Sequence, residues 1–197
     1  LSILSERAAS IPELPGDDST LFAREGFNII GTSNTSDEGV NVMSAALKRR
    51  MNFETIRPIS AVEDEIGVVL RESTRLLEQA SVPVNPDETI VRALTVIFHE
   101  LRNGQTLDGR STDRLAGAVM STAEAVTVCH AMGVYAYYYR EGTMTAEDIT
   151  DFLIGAAVKD KLTDLKRINH YMETEVTRKE GEVWRAIEDN WRRVYRG

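Results

Sequence analysis

Helix-start signatures recur from residue 60 onward, and they limit the fold more than any other feature of the chain. Ser60-Ala61-Val62-Glu63 has the form of a capping box. Asn85-Pro86-Asp87-Glu88 offers a cap, a proline at the first helical position and acids behind it. Ser121-Thr122-Ala123-Glu124 and Thr145-Ala146-Glu147-Asp148 mark two further starts. Apolar residues follow at helical spacing. Ile66, Val69, Leu70 and Leu77 form one face; Ile90, Val91, Leu94, Ile97, Phe98 and Leu101 form a stronger one, closed by Asn103-Gly104. Trp184, Ile187, Trp191 and Val194 lie on a final stripe, which reads as core more readily than as a partner groove. Residues 61–197 are therefore expected to be all-α.

The first 60 residues read differently. Ser10-Ile11-Pro12-Glu13-Leu14-Pro15-Gly16-Asp17-Asp18 is turn chemistry, and short strands ending near Leu21-Phe22-Ala23-Arg24 would make it a hairpin. Phe27 to Ser33 is short, mostly apolar and introduced by Glu25-Gly26, as a buried parallel strand would be. A short helix is expected around Met43, Ala46 and Leu47, with Lys48-Arg49-Arg50 at the C-terminal end of its dipole. Asn52-Phe53-Glu54-Thr55-Ile56 alternates like one more strand. Residues 1–60 thus form an α/β segment and residues 61–197 a helical one, mainly α overall. The chain starts without methionine, and Leu1 and Leu4 fall one helical turn apart, so we expect a fragment of a longer protein.

Composition removes whole classes. The chain has 197 residues, 42% hydrophobic and 27% charged, which suits a globular fold. A formal charge of -8 argues against nucleic acid as a general partner. The single cysteine, Cys129, excludes an internal disulfide, and its apolar helix makes it a small buried side chain. Apolar runs are too short to span a bilayer and no signal peptide is visible, so a cytoplasmic setting is expected. His99, His130 and His170 lie in separate helical segments without ligand spacing and read as packing residues. No phosphate loop, dinucleotide turn, zinc helix or nucleophile elbow occurs.

Two stretches carry specific chemistry. The strand at 27–33 delivers Asn34 at its carboxyl end, where ligands bind in open α/β sheets. An amide there can hold a phosphate oxygen or an attacking water, or serve as an ordinary turn asparagine. Arg49 and Arg50 end a helix just before the next strand. They either compensate its dipole or present a planar donor fork to phosphate.

In order and spacing, Gly31-Thr32-Ser33-Asn34-Thr35 through Ala46-Leu47-Lys48-Arg49-Arg50-Met51-Asn52-Phe53 resembles an AAA-plus ATPase of the MoxR-like branch. The resemblance implies a P-loop-type AAA-plus core, of which residues 1–60 are the C-terminal part, followed by a helical lid. It makes Asn34 the sensor-1 residue, Arg50 the arginine finger with Arg49 as alternate, and the proline hairpin the loop before sensor 1. It implies ATP and Mg²⁺ in the complete protein, a hexameric ring and a protein client. The Walker motifs are absent, so this chain alone is expected to be inactive. The family's second sensor arginine falls on an alanine if Ser121-Thr122-Ala123 starts its helix, leaving Arg114, or Arg110, as substitute. Two other readings stand beside this one. One is a non-catalytic helical interaction module. The other is a nucleic-acid face at Arg185, Arg192, Arg193 and Arg196, opposed by the interleaved Glu182, Glu188 and Asp189.

Overall fold

A computed structural model describes residues 6–13, 19–32, 44–112, 120–158 and 162–195. They sort into two units, Leu1–Ile56 and Arg57–Gly197. In the first, β1 (Ala8–Ser10) pairs antiparallel with β2 (Thr20–Phe22), with Ala9 opposite Leu21. The ladder is extended by Ile11 N–H donating to the Ser19 carbonyl at 2.8 Å and Ala23 N–H to that of Arg7 at 2.7 Å. The expected hairpin is thus formed around the proline-rich stretch. Helix α1 (Ala45–Lys48) is a single turn, capped by the Ser44 hydroxyl accepting from Leu47 N–H.

The strands expected over 27–33 and 52–56 are not formed among the described residues. Phe27–Thr32 and Asn52–Ile56 run unpaired, with Ile30 93% and Ile56 90% exposed. A parallel strand exists only through its ladder, and the described residues supply no neighbour for either segment. Among the described residues of this unit, the only sheet is one two-stranded ribbon. Asn34 lies outside the described residues.

The second unit is all-helical among its described residues: α2 (Val62–Gln79), α3 (Glu88–Asn103), α4 (Thr122–Tyr139), α5 (Glu147–Ala157), α6 (Leu162–Thr174) and α7 (Glu182–Tyr195), with a 3-10 turn at Val176–Arg178. Its core is built where the apolar stripes meet. Val69 and Leu77 of α2, Leu94, Phe98 and Leu101 of α3, and Met132 of α4 are all fully buried. Each such side chain contributes about 1.5–3 kcal/mol. Ile187 and Trp191 close the core from α7, while Val194 on the same stripe stays 48% exposed. Trp191 Nε1–H donates to Asn169 Oδ1 at 3.1 Å, giving the indole its polar partner on α6.

Helices α2 and α4 lie so close that a Cβ on Gly133 would stand 2.8 Å from both methyls of Leu77. The small residue sits where the helix axes must approach. Cys129, one turn earlier, is fully buried, and burial pushes its thiol up to about 11.

The caps differ from the sequence expectation in register. The Ser121 capping box is complete, with Glu124 accepting from the Ser121 N–H. Gly104 closes α3 in the left-handed region at φ 67. Helix α2, however, starts from Ala61 without a side-chain cap, because Ser60 stands one residue too early. Asp87 caps α3 in place of Asn85, accepting from the N–H groups of Thr89 and Ile90. The carboxylate two residues before Thr89 is in reach; the amide four residues before it is not.

Candidate functional site

The arginines of the first unit end up in the open. Arg49 is the C-cap of α1, and Arg50 follows it; both are exposed. One Nη of Arg50 donates to the Ala46 carbonyl at 3.0 Å, one turn back. That single bond orients the side chain along the helix end. The other guanidinium donors of Arg50, and all those of Arg49, have no partner among the described residues. Both arginines thus keep guanidinium donors that an anion could engage. Asn34 and Arg114 fall outside the described residues, so only Arg49 and Arg50 of the expected site have a described geometry.

In the second unit, the first turn of α4 carries Ser121, Thr122, Ala123 and Glu124, with no basic side chain. Ala123 is exposed at the position where a second sensor arginine would project. Glu124 puts a carboxylate at the positive end of the dipole and is used in the cap. This helix start is satisfied by its own side chains and is not built to cradle a phosphate. Arg110, the lesser substitute, is held by Glu175 at 3.0 Å and Asp108 at 3.0 Å.

Beneath that helix start lies a buried ionic cluster that sequence reasoning did not find. Glu65 of α2 is fully buried. Its Oε1 accepts from Arg102 Nη1 at 2.8 Å and from the Thr122 hydroxyl at 2.7 Å. Its Oε2 accepts from Arg102 Nη2 at 2.7 Å, and His99 Nδ1 stands 2.8 Å away. A carboxylate only accepts, so the proton of that contact belongs on Nδ1. The carboxylate is thereby saturated by charged or polar donors. Burial pushes the Glu65 carboxyl up, but the bonds from Arg102, His99 and Thr122 outweigh it and hold it below the usual range. Arg102 also donates to the Met120 carbonyl at 2.9 Å, just before the α4 cap. One guanidinium thus ties α2, α3 and the entry to α4.

A second cluster faces the other side of α3. Fully buried Glu100 accepts from Lys179 Nζ at 2.8 Å, Leu107 N–H at 3.0 Å and the Tyr171 hydroxyl at 2.5 Å. Burial, then the Glu100 charge, pushes the Tyr171 phenol well above its ordinary range. Both clusters fix helices, and the carboxylate at the centre of each is fully buried. No group of His, Cys, Asp and Glu among the described residues has metal-binding geometry. Among those residues no helix is long and apolar enough to cross a membrane. On α7, Arg192 pairs with Glu188 at 2.5 Å and Arg193 donates to Asn190, as expected for a solvated, salt-bridged face.

Comparison with known proteins places these features. Residues 63–196 match the family model described as the YehL-like AAA+ ATPase C-terminal domain. The chain is 43% identical over 187 residues to YehL of Escherichia coli (strain K12), a protein itself described as uncharacterized. The similarity covers 94% of this chain and 51% of that relative, so the chain spans about half the relative's length. No solved structure matches the chain.

Proposed function

The chain belongs to the YehL-like AAA+ ATPases, with residues 63–196 as their C-terminal domain, and from that membership we propose that it forms the lid-bearing half of a MoxR-like motor. In this reading the complete protein binds ATP with Mg²⁺, hydrolyses it in a ring of six subunits and spends the conformational change on a protein client in the cytoplasm. The supporting observation is that similarity to YehL runs through 94% of the chain and is not confined to the helical unit. The stretch bearing Asn34, Arg49 and Arg50 therefore belongs to the same comparison as the lid.

The described residues fit one part of nucleotide chemistry and not another. Arg49 and Arg50 have the donors to meet phosphate oxygens. No backbone cradle or phosphate-loop lysine is present in the sequence, so the nucleotide and Mg²⁺ would be held by residues outside this chain. Bound there, the metal would neutralise phosphate charge. Asn34 would orient the attacking water by its amide without adding charge. Arg50 would reach the site of the neighbouring subunit and hold the charge that builds on the transferred phosphate, with Arg49 as the alternate.

A trans finger supplies on the order of 10³–10⁵ in rate. In the complete protein, Arg50→Ala should therefore abolish most hydrolysis while each subunit still binds ATP. Arg50→Lys should rescue poorly, since an ammonium lacks the planar fork. Mixing Arg50→Ala subunits with subunits lacking the phosphate-loop lysine should restore activity that rises with protein concentration. Wild-type turnover in the single variant refutes the finger; mixed rings that form yet stay inactive refute its action in trans.

A further inference from the structure

The helical unit carries a groove of about 870 Å³ that neither ionic cluster fills. Successive turns of α3 supply its floor through Ile90, Ala93 and Val96, and Met144 continues it; all four are at least 92% buried. Trp184, at the start of α7, forms a wall, partly exposed and 5.0 Å from Lys179 Nζ. An apolar trough of this size suits one turn or two of a partner chain.

The charges around the groove are unbalanced, and the imbalance identifies the occupant. Its two cations are already engaged. Arg92 donates to both carboxylate oxygens of Glu63, at 2.5 and 2.9 Å, and Lys179 is held by buried Glu100 at 2.8 Å. Asp87, Glu180 and Glu182 also line it, and none of them has a cation partner among the described residues. Asp87 accepts only two backbone N–H groups, through one oxygen. The groove therefore presents an apolar floor, a ring of unpaired carboxylates and no unpaired positive charge. Nucleic acid and anionic lipid would meet repulsion there. A segment with an aliphatic or aromatic anchor flanked by Lys or Arg would not.

We propose that this groove docks a basic, amphipathic segment of a partner protein, its apolar anchor lying against Trp184 and Met144 and its cations meeting Asp87, Glu180 and Glu182. The proposal rests on the groove's own chemistry and stands apart from the ATPase reading. It places partner recognition on the lid, on a face defined by α3 and the start of α7. The cations would steer encounter and set register, while the anchor would supply the residence time.

Three fluorescein-labelled peptides test it on the whole chain by anisotropy. The first is a short helical peptide with Leu and Phe one turn apart and Lys or Arg elsewhere. The second replaces its cations by Glu, and the third replaces Leu and Phe by Ser. The first should bind at least about tenfold more tightly than either control, and should weaken as salt rises from about 50 to 500 mM. Its binding should shift the emission of Trp184, a shift lost in Trp184→Phe. Glu180 and Glu182 are exposed, so Glu180→Lys with Glu182→Lys should keep the fold, checked by circular dichroism, and lose about tenfold in affinity. The proposal fails if the acidic peptide binds equally well, or if the double variant keeps its affinity. It also fails if single-stranded DNA or phosphatidylserine vesicles bind more tightly than the basic peptide.

Discussion

The Glu65–Arg102 pair offers a direct test of what holds the helical unit together. Arg102→Met keeps most of the side-chain length and removes the charge. It would leave Glu65, with no exposed surface, bonded only to His99 and Thr122. It would also leave the Met120 carbonyl without the donor now 2.9 Å away. Removing one partner of a buried ion pair costs about 3–5 kcal/mol, because the other charge stays buried. In a chain of this size each kcal/mol moves Tm by about 2–4 °C, so Arg102→Met should melt about 6–20 °C below wild type. Glu65→Leu combined with Arg102→Met removes both charges and should recover most of the loss, since replacing a buried pair by apolar groups is often neutral. Thermal and urea unfolding of the four proteins of the cycle gives the coupling directly. A loss below about 1 kcal/mol in Arg102→Met, or a double variant whose loss equals the sum of the singles, would refute the reasoning. The pair also has a pH signature. The folded Glu65 carboxyl is held below its usual value of 4.5. Its contribution is thus complete above that value and is lost as pH falls through the folded one. The stability gap between wild type and the double variant should shift against wild type in acid. Buried Asp148 titrates the opposite way, raised by its burial, and is common to both proteins.

Gly133→Ala should destabilise wild type despite the better helix propensity of alanine, because the new methyl meets buried Leu77 at 2.8 Å. In a Leu77→Ala background the same substitution should stabilise; an unchanged sign in urea titrations would remove the close-approach argument. The isolated chain should show no steady-state ATP hydrolysis, and turnover comparable with an intact ATPase would place the nucleotide site within it.

Much of the fold in both units was legible where its signals are local. Short stretches on either side of a proline-rich sequence paired as a hairpin, Gly104 ended α3, and Ser121 with Glu124 closed a capping box. What failed was what depends on partners distant in sequence. The strand at 27–33 has the right residues, but no ladder for Phe27–Thr32 exists among the described ones. The ionic cluster was hidden for a subtler reason. Glu65 stands in the first turn of α2 and Arg102 in the last turn of α3, so each already had a sufficient local explanation in its helix dipole. The overlooked signal was Thr95, His99 and Arg102 recurring at helical spacing on a helix that is buried over most of its length. A polar stripe on a helix that is buried almost throughout must meet partners of its own kind.

The arginines show why residue type alone does not locate chemistry. An arginine that stabilises charge on a phosphate must arrive with donors unspent. Arg102 has both Nη groups committed to Glu65 and the Met120 carbonyl, so its charge is cancelled where it lies. Arg110 is shared between Glu175 and Asp108. Arg92 is taken by Glu63. Among the described residues Arg50 makes one bond, to the Ala46 carbonyl. Arg49 lies beside it at the same helix end, exposed and without a carboxylate partner among the described residues. Within the described residues, the Arg92, Arg102 and Arg110 guanidinium groups of the helical unit are committed to carboxylates. Those at the end of α1 keep donors that no described residue engages. For Arg102 the pairing is obligatory, since a charge taken out of water must be neutralised on the spot, whereas one left in water, like that of Arg50, can wait for its partner.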